Sequence, residues 1–465
     1  MESISEKQLT IFDELYEEVK ITKPIRLIEL FAGYGSQAMA LERLGAEFEH
    51  YKVVEFDKFA INSYNAVHGT DFKVTDIRDI HAEDLEVTDT DKYCYIMTYS
   101  FPCTDLSIAG KMKGMKKGSC TRSGLLWEVE RLLKEMDEKP QVLLMENVPQ
   151  VHGKKNKEDF QSWISFLESV GYRNYWQDLN AKDFGVPQNR ERCFMVSLLG
   201  NYTYHFPLRE RERELQLTDV LENTVEEKYY LHSEKAKKLI EQLIVRNVLT
   251  EQSEGKKCVD GTINNPREKE IANCIKARYD CGVSNQQSDG NMVVEKIRIK
   301  QATKKGYIEC ENGGVFDSSY PASYKRRGRV QHGGMVTPTI TTNGDCIMRV
   351  EKMQKINVVG TMDNTLDHTF ESANRVYSTE GIAPTVHTCA GGGTEIKVLT
   401  DEYNIRKLTP RECGRLMGVA DEDITKMEKV NSNSQLYKQF GNSIVVDVLC
   451  AIFKQLNIEQ EKENE

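Results

Sequence analysis

The sequence predicts an α/β fold with a mostly parallel sheet, interrupted by an inserted, irregular, β-rich region. Three observations carry this. Short apolar runs alternate with amphipathic stretches from about residue 25 to 200. A Gly-x-Gly turn leads from the first of these runs straight into a helical pattern. Between 205 and 400 Gly, Asn, Thr and Ser become frequent, and helical periodicity returns only in the last 60 or so residues.

RLIEL (26–30), YKVVEF (51–56), YCYIMTYS (93–100), QVLLMENV (141–148) and CFMVSLL (193–199) predict strands. Gln37–Leu44, Lys58–Val67, Leu125–Met136 and Asp159–Val170 predict helices, the last two from apolar residues at helical spacing. Strands alternating with such helices imply βαβ units around a sheet covered on both faces. In such a sheet, ligands sit beyond the carboxyl ends of the strands. In the following region RVQHGGMVTPTITT (329–342) and RVYSTEGIAPTVHT (375–388) repeat at an offset of 46, with IANCIKA (271–277) a fainter third copy. These predict short strands and turns. In KLTPRECGRLMG, Thr409 is placed as an N-cap with Pro410 and Glu412 completing a capping box, and Gly418 as the C-cap. YKQFGNSIVVDVLCAIFKQL predicts a turn and an apolar helix that needs a core, most simply that of the first lobe. The expected division is therefore 1–204 for the first part of the catalytic and cofactor-binding domain, 205–400 for the insertion, and 401–465 for a segment returning to the first lobe.

A length of 465 residues exceeds one ordinary compact core. No run of about 18 apolar residues predicts a membrane-spanning helix, and the acidic N-terminus lacks the apolar core of a signal peptide. The 12 cysteines include no C-x-x-C pair, and there is no His/Cys cluster at zinc spacing. The expectation is a reduced, cytoplasmic protein without a bound metal. A net charge of −10 argues at first against a nucleic-acid partner. The acid is concentrated at the two termini, however. Segment 110–122 holds Lys111, Lys113, Lys116, Lys117 and Arg122 with no acid, and 323–329 holds Lys325, Arg326, Arg327 and Arg329. A basic run that directly follows a reactive loop is placed to grip phosphates.

Four constellations carry chemistry. In RLIELFAGYGSQAMAL (26–41), Gly33-Tyr34-Gly35 lets the chain turn tightly against a ligand at a helix N-terminus; Glu55 at the next strand's end suits the hydroxyls of a ribose. Alone, this supports an adenosine-bearing cofactor of unspecified kind. In TYSFPCTDLSIAG (98–110), Cys103 lies just past a strand with the basic run downstream, where positive charge would lower the thiol pKa. In MENVPQV (145–151), Glu146 belongs at the sheet's rim beside that loop, where desolvation would let it carry a proton. Arg190 and Arg192, in QNRER, share one face of a strand.

Read in order, FAGYGS, Glu55, Asp76, FPC, ENV, QNRER and QFGNS resemble the ordered motif set of the cytosine-5 DNA methyltransferases of bacteria and phages. The resemblance spans about 25–200 and 403–450, and the stretch between falls where that family carries its target-recognition domain. It implies a Rossmann-like, S-adenosylmethionine-dependent methyltransferase core. Phe31, Ala32, Gly33, Tyr34, Gly35, Phe56, Ile77 and Pro102 would line the cofactor pocket, with Glu55 on the ribose and Asp76 on the adenine amine. Asn442 and Ser443 would close it. Pro102 and Cys103 look like the catalytic pair. Glu146 is similar to the glutamate that holds the cytosine's ring nitrogen 3 and amine, with Asn147 fixing the loop. Arg190 and Arg192 would contact the base's carbonyl and the adjacent backbone. Ser107, Lys111, Lys113, Lys116, Arg326 and Arg327 would meet DNA. Ser36 replaces a common Gly, and Thr104 stands where many relatives have Gln, which leaves the flipping detail open.

The implied reaction moves a methyl group from S-adenosylmethionine to carbon 5 of a flipped-out cytosine in a specific duplex sequence, through a covalent Cys103 adduct. The alternatives are an RNA cytosine-5 methyltransferase and a catalytically silent DNA-binding homologue. A cognate restriction endonuclease belongs to the family picture, as does a monomeric state.

Overall fold

The computed structural model describes residues 16–103, 106, 114–118, 121–208, 215–230, 240, 242–243, 257–260, 267–275, 291–296, 298–300, 303–304, 307–309, 315–317, 347–349, 358–361, 375–377 and 403–460. Thr104, Ser107, Lys111, Lys113, Arg326 and Arg327 lie outside these residues, as does most of the 329–342 and 375–388 repeat.

The central sheet has six strands: β1 (Ile25–Leu30), β2 (Phe48–Val54), β3 (Cys94–Tyr99), β4 (Val142–Asn147), β5 (Tyr172–Asn180) and β6 (Glu191–Leu199). Their order is β2-β1-β3-β4-β6-β5. The pairs β1–β2, β1–β3 and β3–β4 are parallel, whereas β6 runs antiparallel to both β4 and β5. The strand β5 is missing from the sequence reading. It is an edge strand of mostly polar, half-exposed residues (YRNYWQDLN), and only Tyr172 and Leu179 are buried. With one face wet and no apolar run, such a strand leaves little period-2 signal.

The four predicted helices are present as α1 (Ser36–Arg43), α2 (Lys58–His68), α3 (Leu126–Glu135) and α4 (Lys157–Ser169). They divide between the sheet's faces, because alternate strand residues point to opposite sides. Ile28, Leu30, Tyr95, Met97, Tyr99, Leu143 and Met145 pack with α3 and α4 through Leu126, Val129, Leu133, Phe160, Trp163 and Leu167. Ile25, Leu27, Ile96, Val142, Leu144 and Val196 pack with α1 and with the C-terminal helices.

After the sheet, β7 (Lys257–Asp260), β8 (Asn291–Lys296) and β9 (Tyr403–Lys407) form a small antiparallel sheet. Three further antiparallel pairs follow β8 in sequence: Arg298–Lys300 with Tyr307–Glu309, Val315–Asp317 with Ile347–Arg349, and Val358–Thr361 with Arg375–Tyr377. Beyond β9 come α5 (Pro410–Arg415), α6 (Asp421–Val430), α7 (Asn433–Asn442) and α8 (Val446–Lys454). Thr409 caps α5 through a capping box with Glu412, as the sequence predicts. Glu412 also takes a bidentate pair from Arg406 on β9, at 2.9 and 3.0 Å, both side chains being fully buried. Gly418, at φ +74°, adopts the left-handed conformation two residues past the C-cap Leu416. The segment Asn433–Lys454 is long and apolar enough to cross a membrane, but 78% of its most apolar window is buried in the protein. It is also broken at Ser443, and α8 packs its Val446, Leu449 and Phe453 into the same core as Ile25, Leu27, Ala38 and Leu41.

Candidate active site

The site is assembled at the carboxyl ends of β1 to β4. The chain leaves β1 through Phe31, at φ +58°, and Gly33 and Gly35, at φ +60° and +83°. A left-handed Phe is costly and is held here by its amide, which donates to Val54 O at 2.8 Å. Gly35 admits no side chain: a Cβ there would lie 2.4 Å from His68 Nε2 and 2.7 Å from Tyr64 Cε2. Gly33 has no atom within 4 Å of its would-be Cβ, so the loop's outer side opens onto space.

Glu55, one residue past β2, borders that space and is 9% exposed. Its Oε2 accepts from Gly33 N at 3.0 Å and its Oε1 from Asp57 N at 2.8 Å. Burial pushes its pKa up and these amides pull it back. Each oxygen keeps a second lone pair for a hydroxyl. Phe56, next in sequence, is 65% exposed, an unusual state for a large apolar ring. A glycine cradle, a paired carboxylate and an open aromatic face together fit an adenosine.

Other sequence-expected cofactor residues are placed differently. Ala32 and Ile77 are buried in the core. Tyr34 is fully buried with its ring edge-on to Phe440 at 5.8 Å, so only its backbone can face the loop's surroundings. Asp76 caps a short 3-10 turn, and Arg78 Nε lies 3.0 and 3.2 Å from its two oxygens, holding the carboxyl below its usual range. Ser443 Oγ reaches Ser36 Oγ at 2.7 Å and ties the end of α7 to the loop, while Asn442 beside it is exposed.

The Pro102–Cys103 segment follows β3 and is held from three sides. Asn147 Nδ2 donates to Phe101 O at 2.9 Å, Ser123 Oγ to Pro102 O at 2.7 Å, and Leu106 N to Cys103 O at 3.0 Å. Tyr99 pairs with Met145, so the Cys103 loop and Glu146 emerge at the same rim. Glu146 is 7% exposed, and its Oε1 lies 3.2 Å from Arg192 Nε on β6. That pair follows from register: Glu146 is opposite Phe194, which puts Arg192 diagonally across on the same face. Burial raises the Glu146 carboxyl, and Arg192 and Arg190 only partly offset it. The residue is therefore suited to hold a proton above the ordinary carboxylate range.

Two expectations are corrected. The thiol of Cys103 is raised, not lowered: burial and the neighbouring charge of Glu146 outweigh the two arginines. Of the basic run, Lys117 is engaged with Glu130 at 2.6 Å, and Lys116 contributes a charge near Asp159. Arg190, expected to contact the base or the adjacent backbone, is engaged by the protein's own backbone. It is 3% exposed and donates to Ile275 O at 3.2 Å, to Gly441 O at 3.1 Å and to Ser443 O. It thus locks the insertion and the end of α7 to the strand start, and Arg192 alone of the two faces Glu146.

Ser123 and the role of Cys274 were missed by sequence reading, and Gln188 was read only as part of QNRER. Gln188, fully buried, donates to Leu416 O at 2.6 Å and accepts from Ile275 N at 3.1 Å. Ser123 holds the Pro102 carbonyl. Cys274 lies 3.4 Å from Arg190 Nη1 and 3.8 Å from Arg192 Nη2. Burial opposes its ionisation, yet the two guanidiniums hold its thiol below the ordinary value. IANCIKA had been singled out only as a faint repeat; its Ala272–Asn273 pairs in parallel with Gln188–Asn189, which brings Cys274 here.

Residues 25–457 match the family model described as C-5 cytosine-specific DNA methylase. The type II methyltransferase M2.ScrFI of Lactococcus lactis subsp. cremoris is 27% identical over 480 residues, covering 93% of this chain and 99% of its own length. The orphan methyltransferase M.SPBetaI of Bacillus phage SPbeta is 26% identical over 495 residues, covering 93% of this chain and 97% of its own. Among solved structures, the Entamoeba histolytica methyltransferase EhMeth superimposes with a TM-score of 0.55 at 15% identity, over 94% of this chain and 98% of its own. That likeness bears on the fold.

Proposed function

We propose, for a chain that belongs to the C-5 cytosine-specific DNA methylases and so methylates carbon 5 of cytosine in DNA with S-adenosylmethionine, that the reaction runs through Cys103 on a base swung out of the duplex. The observation that carries this reading is the rim shared by Cys103 and Glu146, with Arg192 fixing the carboxylate at 3.2 Å. The bound cofactor supplies an electrophilic methyl on a sulfonium. Gly33, Glu55 and Phe56 are the residues that fit its adenosine end.

The residues divide the work as follows. Glu146, whose carboxyl is raised by burial, takes up a proton from solvent as it binds ring nitrogen 3 and draws electrons from the ring. The Cys103 sulfur adds at carbon 6, and its proton leaves to solvent. Carbon 5, now an enamine carbon, would then take the methyl that the cofactor supplies, beside the loop formed by Gly33, Glu55 and Phe56. Loss of the carbon 5 proton to water then breaks the sulfur–carbon 6 bond and restores Cys103. A stacked base offers neither face of carbon 6, so the nucleotide must leave the helix. Arg192, beside Glu146, is placed for the base's carbonyl oxygen. Because the Glu146 charge helps to keep the Cys103 thiol protonated, loading Glu146 with a proton also favours the thiolate.

Recognition of one short duplex sequence is assigned to 205–400, with 1–204 and 401–465 as the catalytic part. The chain is read as a monomer acting in the cytoplasm of a bacterial or phage-infected cell, with or without a companion endonuclease. Expression in a methylation-free host followed by bisulfite sequencing tests the whole reading. Methylation at one short motif, lost in Cys103→Ala, supports it; marks that persist in Cys103→Ala remove the adduct. A marked RNA with unmarked DNA would move the substrate.

A further inference from the structure

Where His68 comes up against Gly35 of the cofactor loop, three residues that no sequence motif connects come together. Glu42 is on α1, His50 on β2 and His68 at the end of α2, and their ligand atoms all lie within 4.8 Å of one another. Glu42 Oε1 is 2.8 Å from His68 Nδ1 and 3.6 Å from His50 Nε2.

The opposite ring nitrogens are committed. His68 Nε2 lies 3.2 Å from Tyr34 O, a carbonyl that can only accept, so Nε2 carries the hydrogen. His50 Nδ1 lies 2.9 Å from Tyr64 Oη, which gives its own proton to the fully buried Glu29 at 2.6 Å, so His50 Nδ1 is again the donor. A neutral imidazole has one N–H and one lone pair. In neutral rings both lone pairs then point at the Glu42 carboxylate, an arrangement that a bound cation satisfies. We propose that Glu42, His50 and His68 form a divalent-metal site of the zinc class, completed by water on the exposed side of Glu42.

The spacings and the surroundings both suit a metal. Ligand atoms around tetrahedral zinc, with bonds of about 2.0–2.1 Å, stand roughly 3.3 Å apart, and the two measured separations bracket that value. Metal-bound histidines characteristically give their other N–H to a carbonyl or to a chain ending in a carboxylate. Here Tyr34 O serves His68, and the Tyr64–Glu29 relay serves His50.

The site also has a consequence for the loop. His68 Nε2 and the Tyr64 ring fill the space a Gly35 side chain would need, and His68 holds the Tyr34 carbonyl. A metal that fixes His68 stiffens the underside of the Gly33–Gly35 turn. This coupling, unlike the metal site, rests on the loop's assignment to S-adenosylmethionine.

The test is a titration of the metal-free full-length protein with cobalt(II), followed by displacement with zinc(II). One equivalent is expected, with the visible bands of a tetrahedral nitrogen–oxygen site and no sulfur-to-cobalt charge-transfer band. Glu42→Gln and His50→Gln should each weaken binding by about tenfold or more with unchanged circular dichroism; Glu42, with its side chain 43% exposed, is the substitution the fold tolerates best. Absence of saturable binding, a sulfur band, or variants that bind like wild type overturns the site. S-adenosylmethionine titrated into zinc-loaded and metal-free protein should bind several-fold tighter to the former, and equal affinities would overturn the coupling.

Discussion

Arg190 and Arg192 are two residues apart on one strand, yet their surroundings assign them opposite roles, and substituting each by Met separates these. Arg190→Met removes the donor to three backbone carbonyls, those of Ile275, Gly441 and Ser443. Charge-assisted bonds contribute about 1.5–3 kcal/mol each, so the gross loss is on the order of 5–9 kcal/mol. Met fills much of the volume and no longer buries an ion, which returns part of this. The net cost should be about 3–5 kcal/mol, as for removing one partner of a buried ionic contact. Two of the three carbonyls belong to the end of α7, which Ser443 ties to the cofactor loop, so S-adenosylmethionine affinity should fall as well. Arg192→Met removes the ion pair to Glu146 and the donor for the base's carbonyl. It should lower kcat by roughly 10²–10³ while leaving cofactor affinity unchanged. Urea unfolding and isothermal titration with the cofactor read the first effect, and single-turnover methylation the second. If Arg190→Met loses under about 1 kcal/mol and instead matches Arg192→Met in rate, the division of labour is wrong and Arg190 belongs to the chemistry.

Four other outcomes follow from the same geometry. Site-resolved alkylation of Cys103 against pH should show an inflection above the ordinary thiol value, and Glu146→Gln should move it lower by removing a neighbouring negative charge; an unmoved inflection would mean that the two groups do not interact. Asn147→Ala frees the Phe101 carbonyl and should cut kcat by about ten- to a hundredfold with cofactor affinity retained; equal loss in both would make Asn147 a general fold residue. Arg78→Ala releases Asp76 from its guanidinium clamp, so if Asp76 takes the adenine amine, S-adenosylmethionine should bind more tightly, and no change would argue that Asp76 only caps its turn. Burial works against the ionisation of Asp57, but Lys438 and the Phe59 amide outweigh it and hold the folded pKa low. Its contribution is thus full above the unfolded value and lost as pH falls through the folded one, so Lys438→Met should start acid unfolding at higher pH, by less than about 1 kcal/mol for so exposed a lysine; an identical acid limb would remove the pair from the account.

How far the sequence could be read follows from how locally each feature is encoded. The strands β1, β3 and β4 are short apolar runs buried on both faces, and the α5 cap is spelled out by Thr409, Pro410 and Glu412 within four residues. Cys103, Glu146 and Glu55 were legible because a residue at a strand's carboxyl end has a known place in such a sheet. The strand β5 was not, since its register comes from β6 and its own residues are mostly polar. The same reason hid the true place of Arg190. Sequence fixes that it shares a face with Arg192, but which of the two is covered depends on residues 272–275 and 441–443, distant in the chain.

Electrostatics was the least legible property, and Cys103 shows why. A sequence exposes the sign of nearby charges but not the solvent removed from them. Reading downstream lysines as an activating field gave a lowered thiol pKa; desolvation and Glu146 reverse the direction. The reversal makes chemical sense. A standing thiolate in a DNA-modifying enzyme would react with any electrophile that reached it, the cofactor's own methyl included. If Glu146 takes up a proton from solvent as it binds a cytosine's nitrogen 3, losing its charge would favour the Cys103 thiolate only when the base is in place. On this reading the buried carboxylate would be both the acid for nitrogen 3 and the switch for sulfur, since after burial its charge is the largest influence raising the Cys103 thiol.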